Sequence, residues 1–142
     1  MPLPIEGILE TALYVHDLEA AEAFYGGLLG LEVVTKAEGR HVFFRCGPGI
    51  LLVFNADATR SESVKTNFPV PAHGTTGQGH ACFRVARENI EAIRAKLVAA
   101  DVEIEADFCW PNGARSIYFR DPAGNSLECA EPALWGIDDT QA

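Results

Sequence analysis

The sequence predicts an α+β fold made of two βαβββ modules within one domain. The chain has 142 residues, and a domain typically takes roughly 100–200 residues. A strand, a helix and three further strands follow one another twice along the chain, and the two halves can be aligned residue by residue. These observations favour two modules with mixed sheets, at about 5–57 and 79–131, joined by a linker at 58–78.

The first module is predicted from local patterns. Residues 7–15 carry β-forming side chains at both ends and predict a strand. Asp17 is a suitable N-cap, apolar residues then recur at helical spacing, and Gly30 is placed to end the helix. Strands are predicted at about 31–36, 40–46 and 50–55, the last two joined by the tight turn CGPG.

The second module repeats this order after a segment with few apolar residues. Residues 56–78 contain scattered proline, glycine, serine and threonine, which is typical of a linker. A strand at 79–86 and a helix at about 88–100 follow. Strands are then predicted at about 102–109, 114–120 and 125–130, the last two joined by DPAGN. The tail from Glu131 is predicted to be a loose extension.

Composition excludes several function classes. Twenty acidic residues against eleven basic ones give a formal charge of −9, which argues against a nucleic-acid partner because phosphate binding depends on Lys and Arg. No apolar run is long enough to span a membrane, and the N-terminus lacks the basic and apolar regions of a signal peptide. The four cysteines form no metal or redox pattern, so we expect a cytoplasmic protein with reduced thiols.

Strand alternation places three metal-ligand types on one face of the predicted sheets. Successive strand residues point to opposite faces, and the face that carries Glu10 also carries His80 and Glu128 when the halves are aligned. Imidazole and carboxylate together suit divalent Mn, Fe, Co, Ni or Zn. The alternative is that each side chain lies at a strand end and is only solvated. The alignment also pairs Val53 with Glu128, which predicts that Val53 faces the same site.

Three segments, LYVHDLEAAEAFYGGLLGLEVV, GHACFRV and YFRDPAGNSLE, resemble the signature segments of the vicinal oxygen chelate superfamily. That superfamily includes glyoxalase I, fosfomycin-resistance and bleomycin-resistance proteins and extradiol dioxygenases. The resemblance covers about residues 7–131, and DPAGNSLE is its most specific part. It implies paired βαβββ modules whose mixed sheets curl into a cup around one site, within a homodimer.

The resemblance also implies a ligand set. Glu10, Val53, His80 and Glu128 occupy the superfamily's four ligand positions, and the valine cannot coordinate an ion. The implied ligands of a divalent ion (Mn, Fe, Co, Ni, Zn or Mg) are therefore Glu10, His80 and Glu128. Three protein ligands leave coordination positions open for a substrate. Tyr118 and Ser116 match substrate- or cation-contacting positions of the fosfomycin-resistance enzymes.

These implications predict a divalent-metal-dependent enzyme of glyoxalase type that chelates two neighbouring oxygens of a small substrate. Lyase or isomerase chemistry, or related transferase or dioxygenase chemistry, is expected, with Glu10, Glu128 and Tyr118 as catalytic residues. Glu10 or Glu128 would serve as a proton shuttle if it leaves the metal. The alternative is a metal-free binding protein that sequesters a drug-like or aromatic ligand, as bleomycin-resistance proteins do.

Overall fold

The computed structural model describes residues 2–61 and 68–138. The chain divides into two compact units, Met1–Thr76 and Gly77–Ala142, with the boundary inside the predicted linker. Each unit contains one mixed four-stranded sheet and a helix between its first and second strands. The α+β class and the repeated βαβββ order are confirmed. Among the described helices, none has the length and apolar character needed to cross a membrane.

The first unit contains four strands, β1–β4, and two short helices. Strand β1 (Glu10–Val15) leads into α1 (Leu18–Ala21), which continues as a π-helical segment over Glu22–Leu28. Strands β2 (Glu32–Ala37), β3 (His41–Cys46) and β4 (Gly49–Asn55) follow, and α2 spans Ala56–Arg60. The sheet order is β1-β4-β3-β2, with β1 parallel to β4.

The helical part of this unit begins and ends as its sequence predicts. The Asp17 carboxylate accepts a hydrogen bond from the backbone N–H of Ala20 at 3.0 Å, which satisfies one of the free N–H groups of the first turn. Gly30 follows the helix with φ of 76°, a conformation that glycine adopts without steric cost. Gly26 and Gly27 are poor helix formers and lie in the π-helical segment.

The second unit repeats the topology of the first. Strand β5 (His80–Arg84) is followed by α3 (Arg87–Ala99), then β6 (Ala106–Cys109), β7 (Arg115–Arg120) and β8 (Ser126–Ala130). The sheet order is β5-β8-β7-β6, with β5 parallel to β8. Because the strand order and the one parallel pair are the same in both sheets, the duplication inferred from sequence holds at the level of topology.

Two predictions about connecting segments were wrong. The predicted linker begins with α2, because the Asn55 side chain accepts hydrogen bonds from the N–H groups of Asp57 and Ala58 at 2.9 and 3.3 Å. The tail is not loose at its start, since Glu131 is buried and accepts a hydrogen bond from Arg87 Nε at 2.6 Å. A short 3₁₀ helix then spans Pro132–Trp135. Part of the predicted linker, 62–67, lies outside the described residues.

The apolar face of each sheet is the buried face. The buried strand residues on these faces are Leu13, Val15, Val42, Phe44, Leu51 and Val53 in the first unit and Ile117, Phe119, Leu127 and Cys129 in the second. In the first unit, α1 packs on β4 and the π-helical segment packs on β3. The opposite faces are only partly open to solvent, because Phe54 in the first unit and Ser116 and Glu128 in the second are also buried there.

Val53 lies on the core face, which corrects the sequence alignment of the two halves. Val53 pairs with Leu13 and is 0% exposed. The residue that pairs with Ala12 is Leu52, just as Glu128 pairs with Cys82 in the second unit. The cause is loop length: four residues lie between Arg45 and its partner Ile50, whereas five lie between the equivalent Arg120 and its partner Ser126. A one-residue shift moves every side chain to the other face.

Candidate functional site

Glu128 is the centre of a polar cluster on the second sheet. It lies in β8 between Cys82 of β5 and Tyr118 of β7, which are its register partners on either side. Glu128 is only 5% exposed to solvent. An ionised carboxylate at this depth requires compensating partners, and the neighbouring strands supply them.

His80 offers a free ring nitrogen to Glu128. Its Nδ1 lies 3.0 Å from the backbone oxygen of Ser126, and a carbonyl oxygen only accepts, so Nδ1 carries the hydrogen. In the neutral ring, Nε2 therefore has a lone pair, and it lies 3.5 Å from Oε1 of Glu128. Two facing lone-pair donors suit a cation between them, because ligand bonds of about 2.1 Å can span this gap. A carbonyl that fixes the other ring nitrogen is typical of metal-binding histidines.

A hydrogen-bond chain holds the second oxygen of Glu128. The Ser116 hydroxyl donates to Oε2 of Glu128 at 2.5 Å, and it accepts a hydrogen bond from the indole N–H of Trp110 at 2.8 Å. Ser116 is fully buried, so the chain is shielded from competing water. With Oε2 occupied in this way, Oε1 is the oxygen that faces His80. Sequence reasoning found Ser116 through the family resemblance but gave Trp110 no such role, because nothing in the WPNG turn indicates where the indole points.

Tyr118 and Cys82 both contact Glu128 and keep their protons at neutral pH. Removal from water, with the charge of Glu128 and a hydrogen bond to it as further causes, raises the pKa of Tyr118 above its usual range. The same causes raise the pKa of Cys82 to about 12. The Tyr118 ring also stacks near His80, with ring centroids 6.3 Å apart. The cluster thus combines one carboxylate, one imidazole and two protonated donors.

Glu10 belongs to the first unit. It is the first residue of β1 and is exposed, and it occupies the position in the first sheet that His80 occupies in the second. Within neither unit do the described residues include three His, Cys, Asp or Glu side chains that could hold a metal ion by themselves. The structure brings His80, Glu128 and Tyr118 together, and the three-ligand set with Glu10 stays a prediction.

The corresponding face of the first unit is mainly apolar and aromatic. A cleft of about 540 Å³ is lined by Phe43, Leu52, Phe54 and His73, among others, and also by the charged residues Glu10 and Arg40. The Arg40 guanidinium lies over the Phe54 ring, 5.4 Å from its centroid. The Tyr14 hydroxyl lies 2.7 Å from Nδ1 of His73. Leu52 stands where Glu128 stands in the second unit, so the first sheet has no carboxylate at that position.

Comparison with known proteins gives concordant results. The family model of the Glyoxalase/Bleomycin resistance protein/Dioxygenase superfamily matches residues 7–129. A crystal structure of lactoylglutathione lyase from Agrobacterium tumefaciens is 44% identical, with a TM-score of 0.89 over 95% of this chain and 100% of that one. A glyoxalase/bleomycin resistance protein/dioxygenase from Nocardioides is 25% identical, with a TM-score of 0.69 over 99% of this chain and 92% of that one. A virulence protein of Salmonella typhimurium is 26% identical over 132 residues, which is 89% of this chain and 85% of that protein.

Proposed function

Because this chain belongs to the Glyoxalase/Bleomycin resistance protein/Dioxygenase superfamily, we propose that it is a divalent-metal-dependent enzyme of glyoxalase type. Its substrate is a small molecule with two neighbouring oxygens. The observation that carries the proposal is the His80–Glu128 pair, in which the ring nitrogen Nε2 and the carboxylate oxygen Oε1 face each other at 3.5 Å. Each is fixed from behind, by the Ser126 carbonyl in one case and by the Ser116 hydroxyl in the other.

The residues of the proposed site have distinct roles. His80 and Glu128 hold the ion together with Glu10, which the sequence predicts as the third ligand. Mn, Fe, Co, Ni and Zn suit this donor set, and Mg is a further candidate. When bound, such an ion acts as a Lewis acid toward the paired substrate oxygens. Tyr118 donates a hydrogen bond near the substrate. Glu10 or Glu128, once it has left the metal, carries a proton between substrate positions.

The reaction class is a lyase or isomerase reaction. Support comes from the solved lactoylglutathione lyase, with which this chain shares 44% of its residues over nearly its whole length. Lactoylglutathione is a 2-hydroxyacyl thioester, and its hydroxyl and carbonyl oxygens are neighbours. Its formation and breakdown are the first reactions to assay. If this assay is negative, transferase and dioxygenase reactions are assayed next.

Elemental analysis tests the metal. Protein purified without chelator and without an immobilised-metal column should contain a divalent ion in stoichiometric amount, measured by inductively coupled plasma mass spectrometry. His80→Ala should lose it and keep its circular dichroism spectrum. His16→Ala is the matched control, since His16 is exposed before α1. Equal metal content in wild type and His80→Ala would refute the proposal.

The second candidate function is a metal-free binding protein for an aromatic or drug-like ligand. The observation in its favour is the aromatic cleft of the first unit. It predicts ligand binding by protein that holds no ion, and unchanged binding in His80→Ala.

For either function, we propose that the protein is a homodimer in the cytoplasm. All four cysteines are free thiols in the structure, as a reducing compartment would require.

A further inference from the structure

We propose that the cleft of the first unit holds an aromatic group of the substrate, which makes the substrate an aromatic compound with two adjacent oxygens. This inference rests on the proposed function, because the predicted ligand Glu10 lines the same cleft. A substrate whose paired oxygens lie near Glu10 would place the rest of its structure against the other lining residues.

Equivalent rows of the two sheets have opposite chemistry. In the second unit, Cys82, Glu128 and Tyr118 form a row across three strands, with a thiol, a carboxylate and a phenol. The equivalent row of the first unit is Ala12, Leu52 and Phe43. Every polar group of the row is replaced by hydrocarbon. The second unit is therefore equipped for polar chemistry, and the first for holding an apolar group.

The aromatic residues of the cleft are held in place by one another. The Phe43 and Phe54 rings lie 5.3 Å apart at 77°, and those of Phe54 and His73 lie 4.7 Å apart at 77°. Both arrangements are edge-to-face, the geometry that aromatic pairs favour. Tyr14 fixes His73 through the 2.7 Å contact with Nδ1. Because these rings are already ordered, a bound aromatic group needs to immobilise little of the protein.

The cleft has room for such a group. Its volume of about 540 Å³ lies within the range of small-molecule sites, about 300–1,000 Å³. Phe43 is half-buried and lines the cleft, so its ring can contribute contact area on binding. An aliphatic methyl group in the same place would contact far less of this surface.

Phenylglyoxylate and pyruvate provide a matched pair of probes. Both carry a carboxylate beside a ketone, and they differ only in a phenyl or a methyl group. In isothermal titration calorimetry of the metal-loaded protein, we expect phenylglyoxylate to bind about tenfold more tightly. Phe43→Ala should remove most of this preference, because phenylglyoxylate loses more contact area than pyruvate does. Phe43→Leu keeps an apolar side chain but lacks the ring. It replaces the alanine variant in this test if that variant does not fold. Phe68→Ala, an exposed phenylalanine outside the cleft lining, is the control.

The outcomes separate this inference from the proposed function. If the proposed function fails and this inference holds, His80→Ala binds both probes as wild type does, and the phenyl preference still depends on Phe43. If the proposed function holds and this inference fails, His80→Ala weakens both probes, and wild type shows no phenyl preference. Equal binding of the two probes, no binding of phenylglyoxylate, or a preference that survives both Phe43 variants would each overturn the inference.

Discussion

Glu128 is held by hydrogen bonds and charge interactions from both neighbouring strands, and its environment explains how a carboxylate can be buried on a sheet face. Ser116 donates to one oxygen, and the indole N–H of Trp110 orients Ser116. The other oxygen faces His80. A carboxylate with one oxygen fixed presents the second in a defined direction, which is how outer partners tune a metal ligand.

Replacing Ser116 with alanine should therefore affect both stability and metal binding. The change leaves the Trp110 N–H and one Glu128 oxygen without their partner, which costs about 1–3 kcal/mol of unfolding free energy. Metal affinity should fall by about 10–100-fold. Urea unfolding and chelator competition measure the two effects. Ser126→Ala is the control, because the contact of Ser126 with His80 is made by its backbone oxygen. Unchanged metal affinity in Ser116→Ala would contradict the role given to this chain.

Glu131 should make the free energy of unfolding depend on pH in the acidic range. Burial by itself would raise the pKa of Glu131, but hydrogen bonds from the Arg87 guanidinium and the Arg115 backbone N–H lower it overall. The folded protein then binds this proton less tightly than the unfolded chain. The stabilisation is complete above the ordinary glutamate pKa of about 4.3 and is lost as pH falls through the lower folded value.

The test is Glu131→Gln. The variant should be less stable than wild type at neutral pH, by about 1–3 kcal/mol because charge-assisted hydrogen bonds are lost. The difference should shrink as the pH falls below about 4.3. Thermal melts across this range measure it, with the exposed Glu103→Gln as control. A difference that stays constant with pH would show that the charge of Glu131 contributes nothing.

At the scale of elements, the hairpins between β3 and β4 and between β7 and β8 set which side chains face the site. Between the equivalent arginines and their register partners, the second hairpin has one residue more than the first. Alignment of the two halves by their loop glycines therefore matches Val53 with Glu128, whereas the strand register matches Leu52 with Glu128. Both residues are apolar, so sequence chemistry cannot distinguish them. Only the pairing with Ala12 or Leu13 of β1 does so.

Substituting glutamate at each position tests this register. Val53→Glu places a carboxylate in the core and should lower the unfolding free energy by roughly 3 kcal/mol or more. Leu52→Glu places it on the half-exposed cleft face and should cost only about 1 kcal/mol. Urea denaturation of both variants without metal provides the comparison. Equal losses, or a larger loss for Leu52→Glu, would mean that the register is different.

At the scale of the whole molecule, several features indicate association between copies of the chain. Within the described residues, the edge strands of each sheet, β1 and β2 in the first unit and β5 and β6 in the second, pair with another strand on one side only. Unpaired edges favour pairing or cover by another surface. Leu3, Ile5, Ile8 and Leu9, which precede β1, are 76–86% exposed. Apolar side chains concentrated in this way commonly lie in interfaces.

We expect a homodimer in solution, as the family resemblance also implies. Multi-angle light scattering at micromolar concentration should give about twice the chain mass of 15.3 kDa. A variant with serine at Leu3, Ile5 and Ile8 should shift the equilibrium toward the monomer, because it removes apolar surface from the interface. A wild-type mass near that of one chain would refute the dimer.

The sequence by itself determined the repeated strand and helix order, the core face of most strands and three site candidates. These features depend on local periodicity, turn residues and a motif, all of which are properties of neighbouring positions. Asp17 and Gly30 bound the first helix as predicted, and His80, Glu128 and Tyr118 meet on the second sheet.

Tertiary structure alone decided the rest. The side of the sheet on which Val53 lies depends on a hairpin register, and the contact of Trp110 with Ser116 depends on a loop that returns to its own sheet. The burial of Glu131 depends on partners 16 and 44 positions away, Arg115 and Arg87. Such contacts join residues that no local pattern connects. Their free energy comes from burial and hydrogen bonding, which exist only once the strands have paired.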